Sequence, residues 1–269
     1  MLFLLGCKKN EINLVNLKDK SYSSPSFVEN QNNIYDSIGI LHNLCLDYLT
    51  TLEGFDTIDL GMNIKNFYDS YYNKDIDYHL DGNIIDSLAS LSWYYSSSSN
   101  FDGLINLLIE QYDLSLNFKS YYDEILNILN REYDLENLED IINEIKYLEN
   151  TIISSNNLID YELKLILGMT SVFRHSLFYW TEIMKGDISN PFYPYVLNYI
   201  NSDNLISNAR IPWGKILKGF AVVTADVAGY ACDYLIGGYL GGGILGYAVG
   251  AYTGGQISTY GSALVRENL

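Results

Sequence analysis

Basic side chains are in short supply. Sixteen lysines and arginines stand against 33 aspartates and glutamates, so the 269-residue chain carries a net charge of −17 with histidine neutral. Nucleic-acid backbones are held through an excess of Lys and Arg, so the balance excludes nucleic acid as a partner. It also disfavours simple electrostatic docking onto anionic lipid. Cysteine is equally scarce: Cys7, Cys45 and Cys232 cannot build a disulfide framework. The three histidines, His42, His79 and His175, include no pair at the helical spacing of a zinc site such as His-Glu-x-x-His. No Gly-Lys-Ser phosphate loop and no Gly-x-Ser-x-Gly elbow occurs. Alternating Val/Ile/Thr runs punctuated by hairpin turns are missing as well, which argues against a β-sheet.

What is present is apolar. Hydrophobic residues make up 48% of the chain and charged ones 18%, enough to bury a sizeable core and too apolar for a disordered polyanion. Tyrosine, at 25 residues, far exceeds Phe at 10 and Trp at 3. Two readings stand: codon bias in an AT-rich genome, or a surface that contacts a ligand through aromatic area plus a hydroxyl.

The chain opens Met1-Leu2-Phe3-Leu4-Leu5-Gly6-Cys7-Lys8-Lys9. Leu4-Leu5-Gly6-Cys7 resembles a bacterial lipobox, with an apolar residue at −3, a small one at −1, and then the cysteine. The small residue lets a peptidase reach the backbone beside a thiol that is to be lipidated. A signal segment ordinarily has a basic start and roughly 7–15 apolar residues. Here only five apolar side chains precede Gly6 and none is basic, so either the true start lies upstream or the match is accidental. With Cys7 lipidated, the polar run 8–31 serves as a tether: it is rich in Asn, Ser and Lys, contains Ser24-Pro25-Ser26, and has no apolar period. Several acyl chains on one residue anchor firmly where a single chain does not.

From 34 to 208 the pattern is helical. Ile38, Leu41, Cys45, Leu49 and Leu52 follow one helix face, and Ile84, Leu88, Leu91 and Tyr95 repeat the spacing, as do Leu104, Leu107, Leu108 and Tyr112. Residues 136–151 alternate acids with Leu138, Ile141, Ile142, Ile145 and Leu148, an amphipathic helix with a solvated acidic face. Residues 163–180 are apolar nearly all round and form the expected central buried helix. Breaks fall at Gly54, Asp81-Gly82, 96–100 and Asn190-Pro191. Charge sorts by region: residues 1–26 sum to +2 and residues 211–269 to zero, so the middle of the chain carries −19.

Candidates for chemistry in this stretch have bland readings beside them. The loop from Asp75 to Gly82 is the nearest thing to a calcium site, but it lacks the bidentate Glu of an EF-hand. His42 lies close to the apolar face with Ile38, Cys45 and Leu46. With Cys45, three residues on, it could form half a metal site, although Cys45 reads more naturally as a small core residue. His175 stands inside the apolar helix beside Arg174. A Cys45/His175 nucleophilic pair would need an exposed, activated thiolate. The expectation is structural histidines, no metal, no cofactor and no catalytic residue.

The tail carries the most regular signal. Gly238, Gly242, Gly246, Gly250 and Gly254 recur at every fourth position, a groove slanting along one helix into which a second backbone can settle. Each glycine costs an isolated helix about 1 kcal/mol in water, so something has to pack against the row. Residues 234–256 are uncharged and long enough to span a bilayer, though only weakly hydrophobic. Upstream, Asp226 and Asp233 share a face, with the small residues Ala225, Gly229 and Ala231 nearby to receive the zipper. A helical hairpin turning near Ile236-Gly237-Gly238 follows. The run Thr224-Ala225-Asp226-Val227-Ala228-Gly229 with the glycines after it resembles the glycine-zipper tails of bacterial envelope proteins and bacteriocin-like peptides. Together with Leu4-Leu5-Gly6-Cys7 and Gly39-Ile40-Leu41-His42-Asn43, the chain is similar to lipoproteins of the Gram-negative envelope that end in such a tail. No catalytic residues come with the resemblance.

The expected architecture is all-α: a lipobox remnant and tether over 1–33, an acidic helical domain over 34–210, and a glycine-zipper hairpin over 211–269. The expected function is that of a non-enzymatic lipoprotein, anchored to the membrane on the periplasmic side or the cell surface. Its helical domain binds a partner, and its tail packs in a membrane or self-associates. The alternative is a bacteriocin-like toxin whose hairpin inserts into a target membrane, and a third reading is an enzyme using one of the histidines. A neighbouring gene for a small multi-span immunity protein would favour the toxin.

Overall fold

The computed structural model describes residues 25–50, 109–110, 113–129, 131, 137–190 and 193. The described part is helical, with no strand among the described residues. We number its helices α1 (Ser37–Thr50), α2 (Leu116–Leu129), α3 (Leu138–Ser155) and α4 (Asp160–Lys185). The expected helical faces at 84–95 and 104–112 lie outside the described residues or only touch them, as does the whole of 211–269.

The 26-residue α4 is the axis of the bundle and packs against each of the other three helices. Every residue from Leu165 to Leu177 is buried, so all sides of the helix are covered over more than three turns. Asp160 and Glu162 sit in its first turn and Lys185 in its last, matching the helix dipole at both ends. Gly186 ends it in the left-handed region, at φ 98°. Its N–H reaches the Ile183 carbonyl, and that of Asp187 reaches Glu182, the paired bonds of a Schellman stop.

α3 buries Leu138, Ile141, Ile142, Ile145, Leu148 and Ile152, the expected apolar stripe. It departs from expectation in one residue: Glu149 is not on a solvated acidic face but fully buried. Only the turn 156–159 separates α3 from α4, so the two run antiparallel. Asn156 takes the left-handed conformation there, at φ 48°. α2 is fixed at its start by Ser115, whose N–H and hydroxyl both reach the Glu162 carboxylate, at 2.5 and 3.1 Å. Glu162 also receives the Ile159 N–H at 3.4 Å, so one buried carboxylate ties two helix entries together. Beyond the end of α2, Arg131 makes a two-pronged pair with Glu144 of α3.

α1 lies along α4 in a regular seam. Gly39 N–H donates to Ser171 Oγ, Asn43 Nδ2 to the His175 carbonyl, and Tyr179 OH to Asp47, at 3.0, 3.0 and 2.6 Å. Both partners advance by four residues per contact and in the same sense, so the two helices run parallel. Gly39 is where they come closest. A Cβ built there would stand 2.5 Å from the Ser171 carbonyl oxygen and from the His175 ring. That is the structural content of the Gly39-Ile40-Leu41-His42-Asn43 motif. The glycine admits the neighbouring backbone, and the asparagine satisfies a carbonyl on it.

Candidate functional site

Where the N-terminus of α1 meets α3 and α4, the core is polar. Residues 25–36 lead into α1 as a chain of turns, with Val28 N–H on the Pro25 carbonyl, Asn33 on Asn30 and Asp36 on Asn33. This strap, which includes the last residues of the run read as a tether, lies against the bundle with Val28, Asn30 and Asn33 buried. Its two buried asparagines work alike. Each uses its side-chain oxygen to receive the backbone N–H two residues on, Asn32 for Asn30 and Tyr35 for Asn33. The amide is thereby oriented, and its NH2 group is turned to Glu149, at 2.6 Å from Asn30 and 2.8 Å from Asn33.

Glu149 and Arg174 both have 0% of their side chains exposed. The carboxylate takes Arg174 Nη2 at 2.9 Å and has the Thr170 hydroxyl at 2.8 Å, in addition to the two amides. Arg174 in turn donates to the Val28 carbonyl and to Asp36 Oδ1. Asp36 also receives His175 Nε2 at 3.3 Å and, on its other oxygen, the Asn30 N–H at 3.1 Å. An isolated charge in such a place would be too costly to keep ionised, and the density of donors around each carboxylate offsets that cost.

The electrostatics follow from the geometry. Burial pushes the Asp36 carboxyl up, but the His175 hydrogen bond and the Arg174 charge outweigh it and hold the group at about 2. Burial lowers the Arg174 pKa, and the Glu149 and Asp36 charges more than reverse that, so the guanidinium is held protonated. For His175 burial wins, and its pKa lies below the ordinary value despite the Asp36 contact. The imidazole is therefore neutral at pH 7. Its proton is on Nε2, the nitrogen facing the carboxylate. One guanidinium between two carboxylates leaves the cluster formally one negative charge in excess.

Ser171, His175 and Asp36 supply the residue types of a hydrolytic triad. Ser171 is committed elsewhere: its hydroxyl donates to the Asp36 carbonyl at 2.8 Å and accepts the Gly39 N–H. The serine and the histidine are both fully buried. The chemistry available to such an arrangement is fixing backbone and side-chain positions, not presenting a nucleophile to a substrate.

Of the residues singled out in the sequence, His42 is buried in α1, with Nδ1 3.0 Å from the Asn43 side-chain oxygen. The Asn43 NH2 is spent on the His175 carbonyl, so its oxygen accepts and His42 carries its proton on Nδ1. Cys45 is fully buried and burial pushes its thiol well above the usual range, which opposes the activated thiolate a nucleophilic pair would need. Among the described residues no group of three or more His, Cys, Asp and Glu is placed to hold a metal, and no helix is long and apolar enough to cross a membrane. Cys7, the loop 75–82, His79 and the row Gly238, Gly242, Gly246, Gly250 and Gly254 lie outside the described residues.

Sequence reasoning singled out His175 but not Asp36, Glu149, Asn30 or Asn33. One signal was available. Arg174-His175 inside an otherwise apolar helix requires buried counter-charges somewhere else in the chain. Nothing in the sequence names which of 33 acids they are. No protein-family profile, no curated protein and no solved structure matches the chain.

Proposed function

We propose that the chain is a non-enzymatic lipoprotein of the cell envelope, anchored through Cys7, with an acidic helical domain that binds a partner and a glycine-zipper tail that packs in a membrane or self-associates. The observation that carries the reading is Leu4-Leu5-Gly6-Cys7 followed by a polar run that leads into a strap fastened to the bundle. A tether needs a firm seat at its protein end. The buried bonds of Asn30, Asn33 and Asp36 to α3 and α4 supply one. The non-enzymatic part rests on the commitment of Arg174, Glu149, Asp36, Ser171 and His175 to bonds with one another and with the strap. Residues 211–269 form, on this reading, a helical hairpin in which the glycine row receives the segment around Asp226 and Asp233 or a second copy of the chain.

Fractionation tests the anchor. Expressed behind a functional signal segment, the protein should partition with membranes and take up a fatty-acid probe, and Cys7→Ala should send it to the soluble fraction without label. Unchanged fractionation of Cys7→Ala, with no label on the parent protein, would remove the lipoprotein reading. A parent protein released unlipidated into the medium would favour the bacteriocin-like toxin instead.

A further inference from the structure

The strap is held mainly by polar groups. Its one buried apolar side chain is Val28, helped by Phe27, whose ring meets Phe178 edge-on at 5.8 Å. Tyr35 adds a partly buried ring against the core, and the rest of the attachment is hydrogen bonds and charge. Lys146 Nζ reaches the Phe27 carbonyl and Asn32 Nδ2 reaches Asn150, both at 3.0 Å. Asn30 and Asn33 bond Glu149, Val28 and Asp36 bond Arg174, and Asp36 lies over His175. A contact of this composition answers to protonation in a way that buried apolar area does not.

We propose that residues 25–36 are an acid-released strap, latched by Asp36 over His175 and let go when that imidazole takes up a second proton. In the closed state Nε2 faces Asp36 and the ring has no exposed surface, so a second proton enters a group shut off from water. The charged groups that act on the ring come from three elements: Asp36 from the strap, Arg174 from α4 itself and Glu149 from α3. Asp36 and Glu149 favour the imidazolium and Arg174 opposes it. Burial outweighs the pair and keeps the ring neutral. Lifting the strap removes the Asp36 cover and opens the ring to water, where it regains its ordinary affinity for a proton.

A histidine whose folded pKa is lowered takes up a proton on opening, so the closed strap is fully favoured above the ordinary pKa, about 6.5, and loses ground below it. Asp36, held at about 2, stays ionised throughout that window and does not contribute to the change. Between pH 7.5 and 5.5 the open fraction should rise, by at most about tenfold. Release of the strap does not depend on whether Cys7 carries lipid.

Hydrogen exchange on the full chain tests it. The amides of Asn33 and Asp36 are both bonded within the strap. Their protection factors, corrected for intrinsic exchange, should fall from pH 7.5 to 5.5, by at most about tenfold, while those of Ile125 and Ile128 in α2 hold. In His175→Gln, which keeps a side-chain N–H donor without a titrating ring, strap protection should be flat over that range. Constant protection in the parent protein, or an equal fall in His175→Gln, would overturn the proposal. Should His175→Gln lose its helical circular dichroism, NMR titration of the ring in the parent protein decides. A His175 ring titrating at its ordinary pKa with strap amides still protected overturns the acid release. A ring neutral until the strap opens supports it.

Discussion

Arg174 shows what a single buried charge imposes on a sequence. A guanidinium with no exposed surface requires acceptors on several sides, and it finds them on the strap, at Val28 and Asp36, and on α3, at Glu149. Removing one member of such a group is far more damaging than its net contribution suggests, because the partners stay behind uncompensated. Arg174→Met should therefore cost about 3–5 kcal/mol in urea unfolding, since it leaves two carboxylates facing each other without a cation. Adding Glu149→Gln to that variant should cost less than the two separate losses combined, because the second change relieves the repulsion the first created. Strictly additive losses, or a cost for Arg174→Met under about 1 kcal/mol, would show that the cluster does not hold the strap and helices together. The need for counter-charges was legible from Arg174-His175 in an apolar stretch. Their identity was not, because Asp36 and Glu149 lie 138 and 25 residues away and look in the sequence like any other acids.

At the level of helices, spacing said a good deal. Ile38, Leu41 and Cys45 on α1, and Ile141, Ile142, Ile145 and Leu148 on α3, are buried where their 3- and 4-residue steps placed them. Periodicity describes one helix at a time, however, and it assigns acids to the solvent by default. Glu149 breaks that default because α4 presents a cation opposite it. Periodicity is likewise silent on which helices run side by side, and so on the seam from Gly39 to Asp47. The close approach at Gly39 makes the seam testable. Gly39→Ala would raise intrinsic helix propensity by about 1 kcal/mol, yet it drives a methyl into the Ser171 backbone, and overpacking of this kind costs about 1–3 kcal/mol. We expect a net fall in melting temperature and weaker protection of the Ser171-side amides of α4. A rise in melting temperature would mean that α1 and α4 can move apart at little cost and that the seam is not tight.

Over the whole molecule, the described bundle is drawn from stretches within 25–50 and 109–193, and the proposed anchor and tail precede and follow it in the sequence. The tail offers the sharpest contrast between propensity and packing. Replacing Gly246, the middle of the five-glycine row, by Leu favours an isolated helix by several tenths of a kcal/mol. If another backbone fills the groove, the same change overpacks it by about 1–3 kcal/mol, whereas Ile244→Leu conserves volume and should cost less than about 1.5 kcal/mol. Thermal unfolding and crosslinking of the two variants side by side should show Gly246→Leu as the one that loses stability or self-association, and equal behaviour would sink the zipper. The amino-acid sequence by itself determined that the described region is helical, which faces of α1 and α3 turn inward, and that α4 is central, because each of these follows from the local period of apolar side chains. The tertiary structure alone decided that residues 25–36 are strapped to the bundle, that α1 runs parallel to α4, and that Asp36, Glu149, Arg174 and His175 share one site. Those facts depend on which distant segments meet, and on a buried charge being tolerated only where its partners arrive from several of them at once.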